Sequence, residues 1–121
     1  MKYALLVYVD EKVTQGMSED EGKALFAGYM ELTEQLKASG KLIAGDALQP
    51  AGSATSLRVK NGKRLVTDGP FAETKEQLGG FYVVEAANLD EAMDWAAKVP
   101  DAKYGTIEVR PIWDFAGGGA A

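Results

Sequence analysis

The chain has 121 residues, 46% hydrophobic and 26% charged, with a net charge of −5. These are the values of one globular domain around one core, and they exclude disordered and fibrous classes. The acidic balance speaks against nucleic-acid binding, because composition shows no basic face for phosphates, and its plain meaning is solubility.

The first element is a strand over Tyr3 to Val9. Its odd positions (Tyr3, Leu5, Val7, Val9) and its even positions (Ala4, Leu6, Tyr8) are both apolar, the pattern of a strand covered on both faces. The segment is too short, and too soon broken by Asp10, for a signal peptide or a membrane span. A cytoplasmic protein is the default expectation.

A helix is predicted from Ser18, where Ser18-Glu19-Asp20-Glu21 forms a capping box. Leu25, Tyr29, Leu32 and Leu36 recur at helical spacing, with Phe26, Met30 and Thr33 on the shoulder. Gly40 stands where a left-handed cap ends the helix. Gly22 and Gly28 each cost the helix up to about 1 kcal/mol. Leu42 to Leu48 is extended and is ended by Pro50 and Gly52.

Ser53 to Lys60 and Lys63 to Asp68 form a hairpin around Asn61-Gly62, a pair suited to the positive φ angles of a type I′ turn. The turn sets Leu57 opposite Val66, Val59 opposite Arg64, and Arg58 opposite Leu65 on the other face. Gly79 to Ala86 is another buried strand. Asn88-Leu89-Asp90-Glu91 reads as a second capping box, opening a helix with Leu89, Ala92, Met93, Ala96 and Val99 inward and Pro100 as its stop. The last strand runs from Thr106 to Trp113, with Ile107 and Val109 on one face and Glu108 and Arg110 on the other. Residues 1–114 form the domain, and 115–121 are expected to be a flexible Gly/Ala tail.

This order predicts an α+β ferredoxin-like sandwich, an antiparallel sheet with two helices on one face. The apolar residues on the other face need a cover that two helices cannot supply. A homodimer packed sheet to sheet is expected to provide it.

With no Cys, disulfides, thiolate nucleophiles and zinc-thiolate sites are excluded. With no His, so are an imidazole base, a Ser-His-Asp triad and His-ligated haem or zinc. Chemistry must therefore come from carboxylates, Lys, Arg, Tyr, hydroxyls, the backbone or a bound group.

The richest stretch is Asp68-Gly69-Pro70-Phe71-Ala72-Glu73-Thr74-Lys75-Glu76, followed by Leu78-Gly79-Gly80-Phe81. Asp68 reads either as a turn acceptor or as a ligand or proton-transfer group. Phe71 reads as an anchor to the core. Glu73, Lys75 and Glu76 read as a solvated face, a salt-bridged clasp or a pocket rim. Asp46 is a turn acceptor or a pocket acid. Arg58 and Arg110 pair with Glu108 or Asp114, or hold a carboxylate-bearing ligand. A divalent cation on Asp46, Asp68, Glu73 and Glu76 fits no known calcium loop, so no metal and no cofactor are expected. Gly79-Gly80 marks a bulge or a close backbone approach rather than a phosphate cradle, because a strand follows it.

The loop, with Lys2 to Tyr8, Gly45-Asp46-Ala47-Leu48-Gln49-Pro50 and Glu108-Val109-Arg110-Pro111, resembles the DGPF branch of the YCII-related proteins over nearly the whole chain. The resemblance implies a dimeric α/β barrel of ferredoxin-like subunits whose biochemical function is mostly unassigned. Members of that branch are often encoded beside extracytoplasmic-type sigma factors, which implies a regulatory or stress role. Enzymatic relatives resemble small lyases with a His on the first helix and a nearby Asp. Counting back from Gly40-Lys41-Leu42, the His position here looks like Tyr29, and Asp10 resembles the acidic member. Tyr29 is otherwise a core tyrosine on the helix stripe, and with an ordinary pKa near 10 it makes a poor base.

Two readings follow. One is a non-catalytic dimeric module that binds a small metabolite, an anionic one if the Arg and Lys residues hold it, near Asp68 to Glu76. The other is a lyase or isomerase using Asp68, Asp46 or Tyr29 without His, with Arg58, Glu73, Lys75 and Arg110 around the ligand. A metal-independent monooxygenase of the same barrel type has no residue of its own to recommend it.

Overall fold

The computed structural model describes residues 1–115. Six strands and three α-helices run in the order β1 (Lys2–Val9), α1 (Glu11–Gln15), α2 (Glu19–Ala38), β2 (Leu42–Ala47), β3 (Thr55–Lys60), β4 (Lys63–Asp68), β5 (Gln77–Glu85), α3 (Leu89–Ala97) and β6 (Thr106–Pro111). Short 3-10 turns occupy Ala51–Ser53 and Pro100–Lys103. No helix among the described residues is long and apolar enough to cross a membrane. The predicted tail lies, beyond Phe115, outside the described residues.

Four strands form one antiparallel sheet in the order β2-β5-β1-β6. Taken by themselves, these strands stand second, third, first, fourth, which is the ferredoxin-like arrangement. The alternation of β1 divides its apolar residues between the two faces. Tyr3, Leu5 and Val7 are buried beneath the helices with Leu32 and Leu36 of α2, Ala92 and Ala96 of α3, and Tyr82 and Val84 of β5. Ala4 and Leu6 pair with Val83 and Phe81 on the opposite face, where all four are half-buried.

The helix signals in the sequence translate into local geometry. The Ser18 side chain accepts from the Glu21 N–H while Glu21 accepts from the Ser18 N–H, the full capping box. The Asn88 cap is only half of one. Its side chain accepts from the Glu91 N–H, but Glu91 reaches Ala87 rather than the cap residue itself. That Ala87 bond, then Lys41, holds the Glu91 carboxyl below its ordinary range.

Two points of the helix reading need correction. Leu89 and Met93 are exposed, because the buried line of this short helix is Ala92, Ala96 and then Val99, and the two larger residues flank it. The helix α1 was not foreseen. It is five residues long, too short to show a period, and its only sequence sign is Asp10, whose side chain caps the Lys12 N–H.

The hairpin β3–β4 is an insertion between β2 and β5 and makes a sheet of its own. Its register is the predicted one, from Leu57 opposite Val66 to Lys60 opposite Lys63, with Asn61 and Gly62 at positive φ. The arm gathers Arg58, Lys60, Lys63 and Arg64, all exposed, a basic strip that net charge concealed. Arg58, Lys60 and Lys63 share one face, whereas Arg64 lies opposite Val59 on the other, beside exposed Leu57 and Val66.

Gly28 has a packing role that helix propensity does not reveal. A Cβ there would lie 2.8 Å from Pro100 Cγ, so the bare backbone lets α2 meet the Pro100 turn. At Gly22 a Cβ would meet nothing within 4 Å. Opposite signs are therefore expected for the same substitution. Gly22→Ala should stabilise the protein by about 0.5–1 kcal/mol, and Gly28→Ala should destabilise it by about 1–2 kcal/mol despite the better helix former. Urea unfolding of both variants measures the difference.

Candidate functional site

Helix α2 is packed on the sheet along only part of its apolar stripe. Leu32 and Leu36 are buried, whereas Leu25 and Tyr29 are half-buried and Phe26 is 68% exposed. The N-terminal half of the helix instead roofs a cavity of about 530 Å³ over β1, β5 and the β2 edge. Val7, Val9, Leu25 and Leu42 contribute apolar wall, and Gly45, Gly79 and Gly80 bring main chain close to it.

The glycines shape this wall in distinct ways. Gly79 is the extra residue where the β1–β5 register shifts between Val7 and Tyr8, so the predicted bulge is present. A Cβ on Gly80 would lie 3.1 Å from Asp46 O, so close backbone approach is present as well. Gly45 lies under the Tyr82 ring, where a Cβ would come within 2.8 Å of Cδ1.

Polar groups converge from several elements. The Tyr29 hydroxyl donates to Asp101 Oδ2. Thr33 Oγ1 and the Tyr82 hydroxyl stand 3.3 Å apart. At the α1 side, Glu11 Oε2 accepts the Ala51 N–H at 2.8 Å and ties α1 to the turn after β2. Among the described residues, the lining holds Glu11, Asp46 and Asp101 and no Lys or Arg.

Asp101 is 7% exposed and is the one buried charged side chain among the described residues. The sequence reading missed it because it followed Pro100, which was read only as a helix stop. It is placed by the Pro100–Lys103 turn, which α2 reaches at Gly28, one residue before Tyr29. Burial first, then the Asp101 carboxylate, push the Tyr29 phenol far above its ordinary 10.0. Tyr29 is therefore a neutral hydrogen-bond donor at physiological pH, not a base. Asp10, the acidic residue suggested by the resemblance, caps α1 instead, and the acid that Tyr29 meets is Asp101.

Of the residues singled out in the sequence, Tyr29 and Asp46 line the cavity, and Asp68, Arg58, Glu73, Lys75 and Arg110 do not. Asp46 pairs with Phe81 while Gly45 pairs with Tyr82, so strand alternation sets the Asp46 side chain on the sheet face away from α2. Arg110 pairs with Glu108, one of the two alternatives considered. Asp68, Glu73 and Lys75 are exposed, and Asp46, Asp68, Glu73 and Glu76 form no metal-binding cluster among the described residues.

Phe71 does not anchor its loop, being 82% exposed. The loop is closed by polar bonds that need no aromatic plug. Ser56 Oγ donates to Gly69 O, Gln77 Nε2 donates to Ala72 O and Thr74 O, and Thr106 Oγ1 donates to Glu76. Gly69, at φ 95°, makes the turn itself.

The Tyr29–Asp101 pair makes stability depend on alkaline pH. Below about pH 10 both folded and unfolded chains keep the Tyr29 proton, and the contribution is fully present. Above it the unfolded chain releases that proton while the folded chain keeps it, so stability falls as pH rises. Tyr29→Phe should flatten that decline in urea titrations between pH 9 and 11 (about the Tyr range). At neutral pH the same variant should lose about 1–3 kcal/mol, since it leaves a buried carboxylate without its donor.

The YCII-related domain matches residues 1–116 of the chain. An uncharacterised protein of Rhizobium meliloti (strain 1021), R00369, is 42% identical over 114 residues, which is 93% of this chain and 92% of the relative. The chain belongs to the YCII-related domain family.

Proposed function

We propose that the protein is a homodimeric, non-catalytic module that binds a small molecule in the cavity beneath α2 and serves a regulatory or stress-related role. The observation that carries this reading is the cavity itself, with apolar walls and the Tyr29–Asp101 pair among its few polar groups. That combination is the usual make-up of a small-molecule site. In this reading Asp68, Glu73, Lys75 and Arg58 act from outside the cavity, as rim or partner-facing groups.

The second copy is supported by the open sheet face. Ala4, Leu6, Phe81 and Val83 form an apolar centre there, with the Glu108–Arg110 pair toward one edge. Burying such a patch against its own symmetry mate is a common solution for a two-layer domain. Sedimentation at micromolar concentration should give a dimer, and Phe81→Glu should give a folded monomer. A parent protein that sediments as a monomer would remove the dimer from the proposal.

Tyr29 against Asp101 also favours one alternative, a lyase or isomerase in which Asp101 takes a proton and Tyr29 donates one. The binding module is preferred because the phenol is held so firmly protonated.

Retention of cell metabolites on the purified protein, read by mass spectrometry, tests where binding occurs. Ala47→Trp, placed in the cavity wall, should abolish retention of a compound that the Asp68→Ala/Lys75→Ala double variant still holds. Both variants are first checked for native circular dichroism. The reverse pattern would move the site to the loop and sink the cavity reading.

A further inference from the structure

We infer that the cavity selects a ligand with an apolar body and a cationic nitrogen, whose N–H is received by the Asp101 carboxylate. This rests on the cavity being the binding site and adds the chemical class of what enters it.

Asp101 is the starting point. A carboxylate can accept about four hydrogen bonds, and among the described residues the donor found on this one is the Tyr29 hydroxyl alone. Charged side chains buried to this degree are ordinarily paired with an opposite charge. The ion pairs of the described residues lie elsewhere, at Met1–Glu85, Lys23–Glu19, Lys41–Glu91 and Arg110–Glu108. Tyr29 supplies a dipole and no charge, because burial keeps its proton in place. A protonated amine in the cavity would be the missing counter-charge.

The rest of the wall points the same way. Glu11 adds a second carboxylate, and among the described residues no lining side chain carries a positive charge. An anionic ligand would meet two carboxylates with no cation to offset them, whereas Val7, Val9 and Leu25 suit a hydrocarbon body. The overall charge of −5 also draws cations toward the molecule before contact.

Three probes of one shape make the test: cyclohexylammonium, cyclohexanol and cyclohexanecarboxylate, each titrated into the intact protein near pH 7 and followed by calorimetry and ligand-observed NMR. The ammonium should bind about tenfold or more tightly than the alcohol, since charge-assisted bonds are roughly twice as strong as neutral ones. The carboxylate should bind most weakly. Asp101→Asn should erase the ammonium preference while leaving cyclohexanol binding in place, and Glu11→Gln should reduce the preference only in part. The order of the three probes on the parent protein decides the matter even if Asp101→Asn does not fold. Equal binding of ammonium and alcohol, or tighter binding of the carboxylate, overturns the inference and leaves the cavity a binding site. Failure of all three probes to bind overturns the cavity reading and this inference with it.

Discussion

The way α2 lies across the sheet governs most of what this molecule can do. Its C-terminal half is drawn down by Leu32 and Leu36, which reach the core with Leu5 and Val84. Its N-terminal half rests near the Pro100–Lys103 turn, met at Gly28, and roofs open space instead of apolar side chains. One helix therefore serves as core and as roof. The contact that allows this also brings Asp101 to Tyr29, so fold and site share a single steric requirement.

The electrostatics follow from the same placement. A carboxylate at the cavity wall is costly to bury, and one phenol offsets only part of that cost. The exposed charges divide differently. The body of the protein is acidic, while the hairpin holds four cations that stand apart from the cavity. Lys60 directly opposite Lys63 is an unfavourable cross-strand pair, tolerable on an arm surrounded by water.

The fold was largely legible because its signals are local or periodic. The unbroken apolar run of Tyr3 to Val9, the Ser18 capping box and the Asn61-Gly62 turn each depend on residues within a few positions of one another. The candidate site was much less legible. Tyr29 and Asp101 are 72 positions apart, and only the folded chain brings them together. Asp46 was visible as an acid, but only the register with Phe81 shows which face its side chain takes. Phe71 illustrates the opposite error, for an aromatic in a glycine-proline loop suggests an anchor until polar bonds are found closing that loop. Composition also hid the basic hairpin, since an overall count averages it against the acidic body.

The position of β1 has a consequence for how the protein is made. It is synthesised before the other five strands described, yet its two neighbours are β5 and β6, with partners as distant as Glu85 and Pro111. The hairpin β3–β4 can close on its own as soon as residue 68 has emerged, but the central sheet cannot be completed before the end of β6 is synthesised. Until β5 has emerged, a strand apolar on both faces has no strand to pair with, and such exposed segments are the ones that nascent-chain chaperones protect.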